Sequence, residues 1–278
     1  MNSKPNFIFF GTPDVASETL EILKQNEFIP SLIVTSPDAR AGRKMLLTPP
    51  AVKIWAEENK IPYIQPEKLN TEEFKNTFDL FIVVAYGKII PENILNMPKL
   101  GSLNIHYSLL PKYRGASPVE SVILNGDTET GVTIQKMEYK MDAGDIIAQE
   151  KINIKADEKA PELRKRLIKL GGELLVKILP EFIEGKIKPI PQNGSLASVC
   201  KKIKKEDGLI DLNDDAVKNY NKFRAYAHWP RTFFFQNDKR IIITDAELQN
   251  GKFVIKKILP EGKKEVAFEE FNLRHGVY

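Results

Sequence analysis

Cysteine is nearly absent from this sequence. The 278 residues hold a single one, Cys200, so no disulfide can form within the chain, and a secreted, disulfide-stapled fold is excluded. Histidine is almost as scarce, at three. Three scattered imidazoles and one thiol offer no zinc-ligand spacing, and no metal is expected. Long apolar runs are missing too. The opening MNSKPNFIFFGTPD has an apolar run of four residues that ends in Gly, too short for a secretory leader. Nothing approaches the roughly 18 apolar residues that span a membrane. A cytoplasmic chain with no membrane partner is the expectation. Gly-rich nucleotide signatures are also lacking: there is no P-loop and no G-x-G-x-x-G, so no nucleotide cofactor is expected. Without G-x-S-x-G, Ser108 is not read as a hydrolase nucleophile.

What is present is an ordinary globular composition, 42% hydrophobic and 28% charged. The net charge of +4 is unevenly spread. Residues 1–199 hold 25 basic and 25 acidic side chains, whereas residues 200–278 hold 16 and 12. A basic C-terminal module on a neutral body fits a polyanionic partner, and equally a solvated lysine-rich surface.

Short apolar runs alternate with helical patterns in the N-terminal part. Phe7–Phe10, Leu32–Thr35, Leu80–Tyr86 and Leu103–Tyr107 read as buried strands. Amphipathic stretches from Asp14 to Gln25, Pro50 to Asn59 and Thr71 to Asn76 read as helices. Ser117-Pro118 opens another helix, stopped by Gly126. Gly131–Met137 and Ile146–Ile154 read as two further strands joined by a turn-rich segment. Leu163, Leu167, Leu170, Leu174, Ile178 and Phe182 then recur at helical spacing up to Gly185. This alternation predicts an α/β fold, a Rossmann-like, mostly parallel sheet with helices on both faces, over residues 1–185. Residues 186–204, with Pro, Gly, Ser and lysine pairs, read as a linker. Residues 205–278 read as a helix from Val217 to Ala225 and short strands joined by Asn, Asp and Gly turns. Asn250-Gly251 is a strong hairpin signal. A small basic antiparallel β-barrel of the oligonucleotide-binding type is predicted.

The stretch GSLNIHYSLLPKYRGASP, from Gly101 to Pro118, carries the chemistry. In a strand, residues two apart share a face, so Asn104 and His106 project together and Ile105 turns away. They stand at the carboxyl end of a strand, where open α/β sheets bind ligands. An amide donor stabilises an oxyanion at a tetrahedral carbon, and an imidazole moves a proton at neutral pH. A third group normally orients such a histidine, and KMDAGDI offers Asp142 and Asp145. The same pattern also fits a turn cap beside a core histidine.

LNIHYSLLPKYRGASP followed by ETGVTIQKMEYKMDAGDI resembles the 10-formyltetrahydrofolate-dependent formyltransferases. FFGTPDVA at the start, SPDARAGRKMLLTPPAVK at 36–53 and VVAYGKIIP at 83–91 are similar to the branch of that family acting on the methionine of initiator tRNA. AYAHWPRTFF, beginning at Ala225, resembles the start of that branch's barrel. The resemblance implies transfer of a formyl group from 10-formyltetrahydrofolate to the α-amine of initiator Met-tRNA by a monomer, without a metal. It implies Asn104 and His106 as oxyanion donors, with His106 as proton shuttle or as electrostatic partner. Asp142, rather than Asp145, would orient His106 or hold a water. Ser108, Leu109, Leu110 and Pro111 would line the folate site, and the backbone from Val84 through Ala85 and Tyr86 to Gly87 would receive the pterin. Arg43, with Arg40 and Lys44, would meet the tRNA, and residues 205–278 would be its basic anchor. Two alternatives remain open: a sister enzyme acting on a small amine or sugar nucleotide, and a nucleic-acid binding module whose α/β body has no activity.

Overall fold

The computed structural model describes residues 4–42, 45–74 and 77–275. In chain order the elements begin with β1 (Phe7–Gly11), α1 (Asp14–Gln25), β2 (Leu32–Val34), β3 (Ala39–Ala41), β4 (Leu46–Thr48), α2 (Ala51–Asn59) and β5 (Tyr63–Ile64). A 3-10 turn (Thr71–Phe74), β6 (Leu80–Val84), α3 (Glu92–Leu95), β7 (Ser102–His106), β8 (Arg114–Gly115) and α4 (Pro118–Leu124) follow. Next come β9 (Glu129–Lys136), β10 (Ile146–Asn153), α5 (Ala160–Ile183) and β11 (Val199–Cys200). The chain then forms α6 (Ala216–Ala225), β12 (Phe233–Gln236), β13 (Lys239–Gln249), β14 (Lys252–Pro260), β15 (Val266–Ala267) and α7 (Phe268–His275). Two compact units result. One comprises residues 1–114, 131–151 and 166–198, the other residues 115–130, 152–165 and 199–278.

The first unit is built on a seven-stranded sheet of order β10-β9-β7-β6-β1-β2-β5. β1 pairs in parallel with β2 and β6, β2 with β5, and β6 with β7, while β7 and β9 run antiparallel. Every residue of FIFFG and LFIVV is buried, as expected of central strands covered on both faces. On one face, Ile8, Phe10, Phe81 and Val83 pack with Phe74 from the 3-10 turn, Phe78 from the segment before β6, and Ile94 and Leu95 from α3. On the other, α5 passes so close that a Cβ on Gly171 would lie 2.9 Å from Ile105 Cγ2. Successive strands run outward from β1 through β2 to β5, then return to its other side as β6 and β7. The carboxyl ends of β1 and β6 therefore flank a topological switch point, where such sheets open a ligand crevice.

Most sequence-based strand and helix expectations match to within a residue or two. Two differ. The segment from Thr71 tightens into a 3-10 turn ending at Phe74, and Asn76 lies outside the described residues. The segment after β2, for which the sequence reading has no strand, is a ribbon, with β3 and β4 paired antiparallel from Ala39↔Thr48 to Ala41↔Leu46. Its foot is tied down. Lys53 Nζ sits 2.8 Å from Asp38 Oδ2, and Gln65 Nε2 donates to Asp38 Oδ1 at 2.8 Å.

The second unit carries an antiparallel sheet of order β12-β13-β14-β15, four strands with no pairing of first to last among the described residues. Its hairpins follow the turn chemistry read from sequence. Asn250 and Gly251 have φ of 50° and 74°, and Asn237 and Asp238 have 49° and 59°, the doubly left-handed geometry of a tight two-residue hairpin turn. α6 is capped by Asp215, whose side chain accepts from Lys218 N–H. Tyr220 and Phe223 of α6 pack on Ile241, Ile243 and Ile258 of the sheet. In the same unit Gly115 stands at φ 119°, with Cys200 O only 2.2 Å from where a Cβ would be. The glycine of YRGASP is thus demanded by a close backbone approach.

Candidate active site

β7 delivers Asn104 and His106 as its alternation requires. Asn104 lies in register with Val83 of β6 and Gln135 of β9, and His106 with Thr133. Asn104, His106, Thr133 and Gln135 therefore share one face of the sheet. Ile105 faces the opposite way, toward α5. The Asn104 side chain is half-buried and makes no hydrogen bond to any other described residue.

His106 is buried, 5% exposed. Its Nε2 lies 2.8 Å from the Tyr113 carbonyl oxygen. A carbonyl only accepts, so Nε2 carries the hydrogen. The free ring nitrogen is Nδ1, and Asp142 Oδ2 stands 3.6 Å from it. Asp142 comes from the turn after β9, where its backbone is left-handed at φ 50°. Gln135 Nε2 donates to its other oxygen, Oδ1, at 2.8 Å. Asp145 makes a different contact: its carbonyl accepts from Lys136 N–H at 2.8 Å.

The segment Ser108–Pro111 is held from beneath. Ser108 is fully buried, and its hydroxyl donates to Lys112 O at 2.7 Å. It shapes the loop and presents no surface. Thr133 Oγ1 donates to Ser108 O at 2.7 Å and accepts from Leu110 N–H at 3.1 Å. Gln149 Nε2 donates to Thr133 Oγ1 at 2.8 Å and to Leu110 O at 2.7 Å. Leu110 is buried, whereas Leu109 and Pro111 are half-buried, and the Leu110-Pro111 peptide is cis.

The turn after β6 sits at the switch point. Ala85 and Gly87 have φ of 46° and 79° and are exposed, whereas Val84 and Tyr86 are buried. The Tyr86 ring packs edge-on against Phe10 at 5.5 Å, and burial pushes its phenol up to about 12. Tyr86 therefore serves the core, which leaves backbone to face a ligand. Thr12, from the GTPD turn after β1, donates through Oγ1 to Tyr86 O at 2.9 Å and lies 3.1 Å from Ser36 Oγ. Three loops at the carboxyl edge are thereby joined by one hydroxyl.

Among the loop cations, Arg40 is exposed on β3, while Arg43 and Lys44 lie outside the described residues. The ribbon also exposes Leu46 and Leu47, at 63% and 68%. Sequence reading missed Thr133, Gln135 and Gln149. A sign was available, since Thr and Gln alternate with Val and Ile in GVTIQ, placing polar groups on one face of a buried strand.

Comparison with known proteins adds the decisive observation. Residues 5–179 match the family model described as formyl transferase, and residues 202–266 match its C-terminal domain. The chain belongs to the formyl transferase family. Methionyl-tRNA formyltransferase of Staphylococcus epidermidis is 41% identical over 251 residues, 88% of this chain and 80% of that protein. Its counterpart in Halalkalibacterium halodurans is 40% identical over 245 residues, 86% of this chain and 77% of that one. The fold is shared with solved family structures. An N-formyltransferase from Helicobacter canadensis, in complex with folinic acid and dTDP-3-aminofucose, superposes with a TM-score of 0.69 at 22% identity, covering 88% of each chain. Methionyl-tRNA formyltransferase from Clostridium thermocellum gives 0.61 at 19% identity, covering 92% of this chain and 98% of that one. No helix among the described residues is long and apolar enough to cross a membrane.

Proposed function

We propose that the chain formylates initiator Met-tRNA, with 10-formyltetrahydrofolate as donor. The observation that carries this is the identity of 41%, spread over 80% of a methionyl-tRNA formyltransferase. The site supports the reaction class. The methionine amine attacks the formyl carbon and the formyl oxygen takes up negative charge. The bond from that carbon to N10 then breaks, the amine giving up a proton and N10 gaining one. Asn104, with no partner among the described residues, donates its amide N–H to the oxyanion. His106 exchanges a proton through Nδ1, because Nε2 is held by Tyr113 O. Asp142 faces Nδ1 and favours the charged ring while the oxyanion exists. An α-amine of pKa about 8 is already partly neutral at pH 7, so a strong base is unnecessary.

In this reading the folate lies against Leu109 and Pro111, with its pterin on the backbone of residues 84–87. Arg40 on the ribbon, with Arg43 and Lys44 of the same loop, meets the acceptor end of the tRNA. The ribbon leaves β2 at the sheet edge where β7 ends, which supports that role. Residues 205–278 are a basic tRNA-binding domain that follows a formyltransferase domain, and the chain works in the cytoplasm as a monomer. The test is formyl transfer from 10-formyltetrahydrofolate to charged initiator tRNA, charged elongator tRNA and a dTDP-linked amino sugar. Transfer to the initiator species alone is expected. Transfer to the sugar with none to tRNA refutes the reading.

A further inference from the structure

Asp142 is held in a conformation that its own chain disfavours. Its φ of 50° carries a modest cost for a residue with a Cβ, and besides the turn's own bond from Ala143 N–H to Lys140 O, contacts from outside the turn hold it there. Two glutamines supply them. Gln192 belongs to the stretch read from sequence as a linker, and that stretch is not loose. Ile190 and Ile146 exchange backbone hydrogen bonds of 2.8 and 2.9 Å. Two residues on, Gln192 Nε2 donates to Asp142 O at 2.9 Å and to Gly144 O at 2.7 Å. Its Oε1 accepts from Arg114 Nε at 3.1 Å and Nη2 at 2.7 Å. A primary amide has two hydrogens and two lone pairs, and here all four are used. Gly144 completes the turn, since a Cβ there would lie 1.8 Å from Lys136 O.

Gln135 holds the other end of the same residue. Its Nε2 occupies Asp142 Oδ1, which leaves Oδ2 to face His106 Nδ1. Gln135 is 2% exposed, and its Oε1 is buried with no hydrogen-bond partner among the described residues. A strand interior shaped for stability alone would carry an apolar side chain there. What the glutamine adds is the donor to Asp142. A neutral donor also suits the task, because a lysine or arginine at this position would take the carboxylate as its own ion-pair partner.

We propose that Gln135 and Gln192 are positioning residues for formyl transfer, two carboxamides that set the Asp142 carboxylate and its backbone so that Oδ2 faces His106. The proposal rests on the assignment of Asn104, His106 and Asp142 as the reacting set. Gln135→Met and Gln192→Met keep side-chain length and remove the hydrogen bonds. Each is expected to lower kcat about tenfold, the scale of one hydrogen bond to a charged group, with KM for folate and for tRNA within about twofold. Each should cost nothing further when combined with Asp142→Asn, because both act through that carboxylate. Should Gln192→Met fail to fold, Gln192→Glu keeps the contact with Arg114, loses the two donors, and is expected to show the same fall in kcat. Normal kcat in the glutamine variants beside a crippled Asp142→Asn enzyme overturns the clamp and leaves the site assignment standing. Losses that multiply with that of Asp142→Asn also overturn it, since they mark an independent structural role. An Asp142→Asn enzyme with normal turnover overturns the site assignment, and the clamp with it.

Discussion

Thr133→Val removes one oxygen from the protein and nearly no volume. Thr133 is fully buried, and that oxygen links three partners: Ser108 O, Leu110 N–H and Gln149 Nε2. Gln149 keeps its second bond, to Leu110 O, so it loses least. Leu110 N–H and Ser108 O lie in buried residues where water cannot replace the hydroxyl. Leaving one buried polar group unpaired costs about 1–3 kcal/mol. Two such groups, partly relieved by relaxation, put the expected destabilisation at about 2–4 kcal/mol. The melting temperature should fall by about 2–4 °C per kcal/mol for a unit of this size. Catalysis should suffer as well. The loop that Thr133 holds begins two residues after His106, and the same loop leads to Tyr113, whose carbonyl fixes Nε2. Chemical and thermal denaturation would be measured for the wild type, Thr133→Val and Thr133→Ser, with turnover for each. Thr133→Ser restores the oxygen and should retain most of both properties. A Thr133→Val protein within about 0.5 kcal/mol of wild type, the range of an ordinary surface change, would refute the claim that this hydroxyl organises the loop.

Asn104→Ala should lower turnover by about 10²–10³, the scale of losing one oxyanion donor, with folate affinity little changed; near-normal turnover removes Asn104 from the mechanism. Asp142→Asn should cripple activity and Asp145→Asn should be milder, because only Asp142 faces Nδ1, and steady-state kinetics on folded proteins gives the ranking. Neutralising Lys201, Lys202, Lys204 and Lys205, all exposed, should flatten the salt dependence of tRNA binding by about 0.9 in slope for each duplex phosphate no longer neutralised, and an unchanged slope excludes the cluster. The ribbon should loosen in acid. Hydrogen bonds from Gln65 and Lys53 hold the Asp38 carboxyl below its ordinary value. Its contribution is therefore present above the usual carboxylate range and lost as pH falls through the lowered value. Amide exchange in residues 39–48 should accelerate there, and equal protection at neutral and acidic pH would remove Asp38 as the anchor.

Periodicity and turn chemistry determined much of this protein before any tertiary contact was known. Unbroken apolar runs such as Phe7–Phe10 announced strands covered on both faces, and Asn250-Gly251 announced a hairpin by its backbone preference. Strand alternation alone placed Asn104 beside His106, because side chains two apart must share a face. These are local properties, set by neighbours within a few residues. Tertiary structure decided which nitrogen of His106 is free, that Ser108 is spent on its own loop, and that the Tyr86 ring belongs to the core. It also decided what Gln192 does. The sequence around Gln192 has Pro, Gly and no periodic pattern, so it reads as a linker, yet its amide reaches a carbonyl 50 residues away. Tyr113 N–H likewise finds Ser198 Oγ at a separation of 85. Such bonds leave no periodic trace in sequence. They depend on a lone amide or hydroxyl meeting a backbone group of another segment, and only the packed chain brings the two together.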